Sequence, residues 1–287
     1  MFRGPTKLMN KPSFGWWSRL LCGGVALTLL SLAGAAQAAP KHVLVVTTTT
    51  GFRHSSIPTA EKVIAELGKR SGLFTVEYAR VEPTDPQYCG SNGKPDKDKV
   101  HAAIAAVLAK KMSLEALKHY DAVIFANTTG ELPLPDKQGF LDWIKSGKGF
   151  VGMHSATDTF HGFQGYIQMI GGEFKTHAHQ LEVQPIDQDP ECPACACLGP
   201  GWKVYDEIYQ LKSFDPAKVH GLLRLDHKPD VNNPEPGYYP IAWCKKYGGY
   251  PAPAAPNGGA LLMAKHWPCR PGRVFYTSLG HREDVWD

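Results

Sequence analysis

The chain has little charge of either sign to spare. Against 31 Lys and Arg stand 27 Asp and Glu, for a formal net charge of +4 over 287 residues. Arg3, Lys7, Lys11 and Arg19 near the start hold part of that small excess. No basic stripe with interleaved aromatics occurs, which argues against nucleic acid as a partner. Beyond the first forty residues no apolar run approaches the roughly 20 residues that a membrane span needs. No internal repeat is present, so a solenoid or propeller is excluded. Neither His-x-x-x-His nor His-Glu-x-x-His occurs, so no helix offers a ready-made zinc pair.

What is present is globular composition, 43% hydrophobic and 20% charged. The first residues read as an export signal. A basic leader precedes an apolar run from Leu20 to Gly34, and Ala36-Gln37-Ala38 supplies a small-residue cleavage site. Residues 1–38 are therefore expected to be removed, leaving a periplasmic or secreted protein with no stable membrane anchor. An uncleaved anchor is the alternative. Of seven cysteines, loss of Cys22 leaves six, an even number that in an oxidising compartment predicts disulfides. Cys244 and Cys269 flank the Gly/Pro/Ala-rich stretch 248–272 and are expected to bridge across it. Cys89 is expected to pair within the Cys192-x-x-Cys195-x-Cys197 cluster. A soft metal on that cluster is the weaker reading, because no fourth ligand is evident.

The apolar runs at 42–47, 121–127 and 149–153 suit strands buried on both faces, with helical patterns between them. That alternation predicts an α/β fold with a mostly parallel sheet flanked by helices. Later strands are expected near 181–183, 219–225, 239–244 and 273–278. Loop insertions are expected near 82–98 and 248–272, both rich in Pro and Gly. The central stretch runs from Gly149 through Gly152-Met153-His154-Ser155 to Asp158. A buried strand ends there and delivers polar side chains to the carboxyl edge of the sheet, where ligands bind in such folds. His54 and Asn127 follow sister strands and should converge on the same edge.

Several motifs resemble the trehalose-utilisation (ThuA-like) family. They are Gly-Phe-Arg-His54-Ser-Ser, Phe-Ala-Asn127-Thr-Thr-Gly, Gly-Phe-Val-Gly-Met-His154-Ser-Ala-Thr-Asp158 and Gly-Gly-Glu-Phe-Lys-Thr-His177. Asp-Glu207-Ile-Tyr, Pro-Ile-Ala-Trp243 and Phe-Tyr-Thr-Ser-Leu-Gly-His281 continue the series. The resemblance spans about residues 42–281 and implies a flavodoxin-like fold similar to class I glutamine amidotransferases. It also implies a role in disaccharide catabolism through 3-keto sugars, with a small-molecule carbohydrate as ligand and a partner oxidoreductase as a further expectation. The stretch 282–287 reads as a truncated tail, since the family continues into a final helix.

In amidotransferases the turn after this strand carries the nucleophilic cysteine; here it carries His154, which excludes thioester chemistry on glutamine. The stretch is not Gly-x-Ser-x-Gly either, which argues against a serine-hydrolase elbow at Ser155. His154, His54, Asp158 and Glu207 are the candidate catalytic residues, suited to proton transfer beside a sugar carbonyl. Asn127, Thr128, His177 and His281 are the candidate ligand-binding residues. No cofactor is required by this reading, although the imidazoles and one carboxylate are competent to hold a divalent metal. A binding site without turnover and a metal-dependent hydrolase stay open as alternatives. So do plainer roles, such as Asp158 capping the next helix.

Overall fold

The computed structural model describes residues 39–248 and 271–286. The predicted leader and almost all of the 248–272 insertion lie outside them.

The first strand, β1 (Lys41–Val46), leads to α1 (Ile57–Ser71), β2 (Phe74–Ala79), α2 (Lys97–Lys111) and the short α3 (Leu114–Leu117). Then come β3 (Ala122–Ala126), α4 (Lys137–Lys145), β4 (Gly149–Met153), a 3-10 turn over His154–Asp158 and α5 (Gln164–Ile170). The second half is β-rich: β5 (Glu173–His177), β6 (Leu181–Val183), β7 (Ile186–Asp187), β8 (Val204–Asp206) and β9 (Tyr209–Lys212). The long strands β10 (His220–His227), β11 (Pro236–Tyr247) and β12 (Gly272–Thr277) follow.

The main sheet has eight strands in the order β2-β1-β3-β4-β12-β11-β10-β7. The first five run parallel, a 2-1-3-4-5 arrangement of flavodoxin type in which β12 takes the fifth place. β11, β10 and β7 extend this sheet antiparallel. Thus the expected mostly parallel sheet is joined to an antiparallel extension. Two small ribbons, β5–β9 and β6–β8, lie apart from the main sheet.

Alternation along β1 explains why it is apolar throughout. Leu44 and Val46 face a core built with Ile104, Leu108, Phe140, Ile144, Tyr166 and Tyr276, from α2, α4, α5 and β12. Val43 and Val45 face the opposite layer with Ala60 and Ile64 of α1 and with Trp286. A side chain fully buried in this way contributes about 1.5–3 kcal/mol, so both faces of the sheet are fastened. α1 starts with Pro58 in its first turn, as the sequence predicts. Ser113 caps α3 by accepting the Ala116 N–H at 3.2 Å.

The predicted disulfide network is overturned among the described residues, where Cys89, Cys192, Cys195, Cys197 and Cys244 are all unbridged. The reason is placement. Cys89 sits in the loop after β2, at one edge of the sheet, while Cys192, Cys195 and Cys244 pack on the β10–β11 layer toward the other. Cys192 and Cys195 begin and end one tight turn, the Cys195 N–H donating to the Cys192 carbonyl at 2.8 Å. Cys195 is buried and Cys197 exposed, so the cluster diverges. The predicted Cys244–Cys269 bridge lies outside the described residues, because Cys269 does.

Candidate metal centre

Three parallel strands end side by side, and each delivers a polar residue at its carboxyl end. β1 runs into the buried threonines 47–49 and then His54; β3 ends at Asn127; β4 ends at His154. Asn127 (φ 55°) and His154 (φ 47°) both adopt the left-handed region. That conformation costs a non-glycine residue about 1–2 kcal/mol and marks a position held for its side chain. The His154 carbonyl accepts the Tyr276 hydroxyl at 2.7 Å, which helps hold the strained turn. Gly152 allows that turn to fold back, since a Cβ there would stand 2.9 Å from Ile170 Cδ1 and 3.1 Å from Ala156 Cβ.

His154 is fully buried. Its Nδ1 lies 2.7 Å from the Ser278 carbonyl and must donate to it, which leaves Nε2 as a bare lone pair. That Nε2 faces Nε2 of His54 at 3.2 Å and Glu207 Oε1 at 3.7 Å. Burial holds the His154 imidazole neutral, with its pKa well below the ordinary value, and the neighbouring His54 adds to the effect. Burial also pushes His54 down to about 4, with His281 contributing. Glu207 sits at the bend between β8 and β9 and is itself buried. Its Oε1 lies 3.4 Å from His281 Nδ1, but that buried nitrogen makes no hydrogen bond. The Glu207 carboxylate raises the pKa of His281, with burial opposing it.

One ligand atom from each of His54, His154, Glu207 and His281 lies within 4.8 Å of all the others. Atoms bound about 2.1 Å from one ion in a tetrahedron stand about 3.4 Å apart. Three of the six separations, 3.2, 3.4 and 3.7 Å, bracket that value, and all six lie within 4.8 Å. Two imidazoles held neutral by burial, a bare Nε2 and an unpartnered His281 Nδ1 are what a divalent cation requires of its ligands. The donor set therefore fits a metal. Three nitrogens and one oxygen suit zinc or another first-row ion better than magnesium or calcium.

His177 stands at the rim, its side chain 43% exposed, with Nδ1 3.0 Å from Glu207 Oε2. The same Nδ1 is 2.9 Å from the Ala178 carbonyl. Of the other expected site residues, Asp158 orients an imidazole, but that of His161, whose Nε2 it meets at 2.5 Å. Thr128 is buried and bonded to Thr159 at 2.8 Å. Asn127 donates through Nδ2 to Ser56 Oγ and to the Gly280 carbonyl, both at 2.9 Å. These three lie outside the cluster of four. Asp206 plays a part its sequence did not announce. Fully buried, it accepts the Gly280 N–H at 2.7 Å and the Arg282 N–H at 3.3 Å. Asp206 and Asn127 thus hold both peptide flanks of His281. Tyr209 lays its ring against His154 at 4.4 Å between centroids. The sequence signal for both was the compact Asp206-Glu207-Ile208-Tyr209 motif, in which only Glu207 carries a ligand atom.

Fold and site together define an α/β protein of flavodoxin type with a three-histidine, one-glutamate cluster at the carboxyl edge of its parallel strands. Residues 42–287 match the family model for trehalose utilisation, ThuA, and the chain belongs to that family. Among solved structures it is similar to a ThuA-like protein of Bacteroides uniformis, at 18% identity and a TM-score of 0.55, covering 87% of this chain and 86% of that one. A ThuA-like protein of Parabacteroides merdae is similar at 17% identity and a TM-score of 0.54, covering 84% of this chain and 80% of that one. At such identities the likeness speaks for the fold. A search of curated proteins gives no match.

Proposed function

We propose that this protein is an exported, metal-dependent enzyme acting on a disaccharide or its 3-keto derivative. His54, His154, Glu207 and His281 would hold the ion. The observation that carries this reading is the convergence of those four ligand atoms within 4.8 Å. The carbohydrate class comes from membership of the trehalose-utilisation family.

A divalent ion bound by these residues would supply Lewis-acid polarisation of a carbonyl or hydroxyl oxygen of the sugar. The chain's own residues do the rest. Ser278 fixes the tautomer of His154 so that Nε2 is kept for the ion. His177 keeps its Nδ1 proton engaged with Ala178 and Glu207, so its bare Nε2 is the atom that takes a proton from the substrate. Tyr209 lays its buried ring against His154 on the inner side, and the Tyr276 hydroxyl holds the His154 carbonyl.

The test is elemental analysis of the purified protein joined to incubation with trehalose, 3-ketotrehalose and a panel of parent and keto-disaccharides. About one equivalent of a transition metal, with turnover lost in His54→Ala and His177→Ala, is the expected result. Full turnover without metal would overturn the reading. Sugar bound by the metal-loaded protein but never consumed would replace it with an accessory binding role beside an oxidoreductase.

A further inference from the structure

The loop that carries His54 also carries Phe52, a residue 65% exposed. Exposing most of a phenyl ring forgoes about 1.5–3 kcal/mol of burial. Single exposed aromatics are ordinary on protein surfaces, so position decides the matter here. The Phe52 ring meets His54 edge-on, at 4.8 Å between centroids and 78° between planes. His54 in turn contacts the rings of His154 at 4.7 Å and His281 at 5.2 Å. The exposed ring therefore touches the ligand cluster directly, through His54.

Its exposure is not slack in the loop. The Phe52 carbonyl accepts the Thr129 hydroxyl at 2.7 Å, and the Thr50 N–H donates to the Thr129 carbonyl at 3.1 Å. Gly130 lets the two loops touch, since a Cβ there would lie 2.5 Å from Thr50 Oγ1 and 2.8 Å from the Gly51 nitrogen. The adjacent cation is committed elsewhere. Arg53 donates to the Thr47 carbonyl at 3.2 Å and to Glu82 at 2.9 Å. At this point the rim offers a fixed apolar ring rather than a charge.

We infer that Phe52 is a substrate-positioning platform that stacks against the C–H face of a neutral pyranose ring. The inference rests on the carbohydrate reading of the site and adds a selectivity to it. A pyranose with equatorial hydroxyls presents an unbroken C–H face to an aromatic ring. An axial hydroxyl on that face interrupts the contact and loses its hydration without a partner. The platform therefore favours glucose-type rings and sets how deep the sugar's oxygens reach toward the histidines.

The experiment is calorimetric titration of wild type, Phe52→Ala and Phe52→Trp with trehalose and with 3-ketotrehalose, alongside metal content and melting temperature. Phe52→Ala should weaken binding by about 10-fold, the scale of one aromatic stacking contact, with metal content and melting temperature unchanged. Phe52→Trp should restore affinity, and sugar should alter its fluorescence relative to wild type. Equal affinity in wild type and Phe52→Ala would overturn the platform and leave the carbohydrate reading standing. Failure of wild type to bind either sugar would overturn both.

Discussion

The Nε2 atoms of His54 and His154 face each other across 3.2 Å. His54 comes from the loop after β1 and His154 from the turn after β4, one hundred residues later. Two neutral imidazoles at that distance share either one proton or one ion. His281 Nδ1 and Glu207 Oε1 close the set on a third side, 3.4 Å apart.

If an ion is held there, chelation should lower the melting temperature and its return should restore it. With free ion at 100 times Kd the bound form gains about 2.7 kcal/mol by mass action. His54→Ala should reduce metal affinity by more than the roughly 10–100-fold typical of groups that merely support a ligand. Isothermal titration with zinc measures this directly. A chelator-insensitive melting curve would contradict it.

Tyr276→Phe tests how the strained turn is held. The Tyr276 hydroxyl bonds both the His154 carbonyl and Thr157 Oγ1, at 2.7 and 2.9 Å in a fully buried setting. Removing it leaves two buried groups short of a partner, at about 1–3 kcal/mol. Urea denaturation should show that loss, with metal affinity falling as His154 gains freedom. An unchanged midpoint would mean that the φ of 47° at His154 is secured by other contacts.

How much of this was readable in advance depended on distance along the chain. Strands β1, β3 and β4 announced themselves by apolar runs; β3 and β4 run directly into Asn127 and His154, and the loop after β1 carries His54. Glu207 and His281 came from motifs whose meaning is only spatial, because a bend and a strand end far apart in sequence meet over β4. The role of Asn127 could not be read, since a buried amide bonding a distant backbone carbonyl leaves no local pattern. Asp158 faces the imidazole of His161, three residues on, and lies outside the cluster of four. Counting cysteines said that pairs were available but not that the sheet separates Cys89 from the others.

The His161 cluster sets a pH dependence of stability. His161 lies between Asp158 and Glu173, at 2.5 and 2.8 Å. Partial burial lowers its pKa, but the two carboxylates overcome this and raise it above 6.5. A histidine whose folded pKa is raised adds stability that is fully present below 6.5. That stability is lost as pH rises through the folded value. Wild type should therefore lose stability relative to His161→Gln as pH climbs past neutrality, and salt should shrink the difference at this half-exposed site. Parallel melting curves for the two proteins across that range would contradict the assignment.

The thiols should react in an order set by burial. Burial, with Asp187 adding to it, pushes Cys195 up to about 11, whereas Cys197 is exposed. Iodoacetamide at pH 8 followed by peptide mass spectrometry should label Cys197 early and Cys195 only on unfolding. Labelling of Cys195 at the rate of Cys197 would place it outside the buried layer.

Asn127 offers the sharpest separation of strain from bonding. Its φ of 55° is one glycine adopts freely, and its Nδ2 holds Ser56 and the Gly280 carbonyl. Asn127→Ala loses both bonds and keeps an unfavourable conformation; Asn127→Gly loses the same bonds but relieves the conformation. If strain dominated, the glycine variant would match or exceed wild type in stability. If bonding dominates, both variants should fall by about 1–3 kcal/mol, with alanine the lower by about 1 kcal/mol. The second outcome is expected, because both bonds of the Asn127 amide are buried and join the end of β3 to Ser56 and to the Gly280 carbonyl, which also takes Ser56 Oγ and Trp286 Nε1, at 2.9 and 3.1 Å. That carbonyl anchors the peptide immediately before His281. Metal affinity should therefore drop in both variants by a similar factor, about 10-fold or more. A loss confined to stability, with metal affinity intact, would show that Asp206, with Ser56 and Trp286 on the Gly280 carbonyl, places His281 without Asn127.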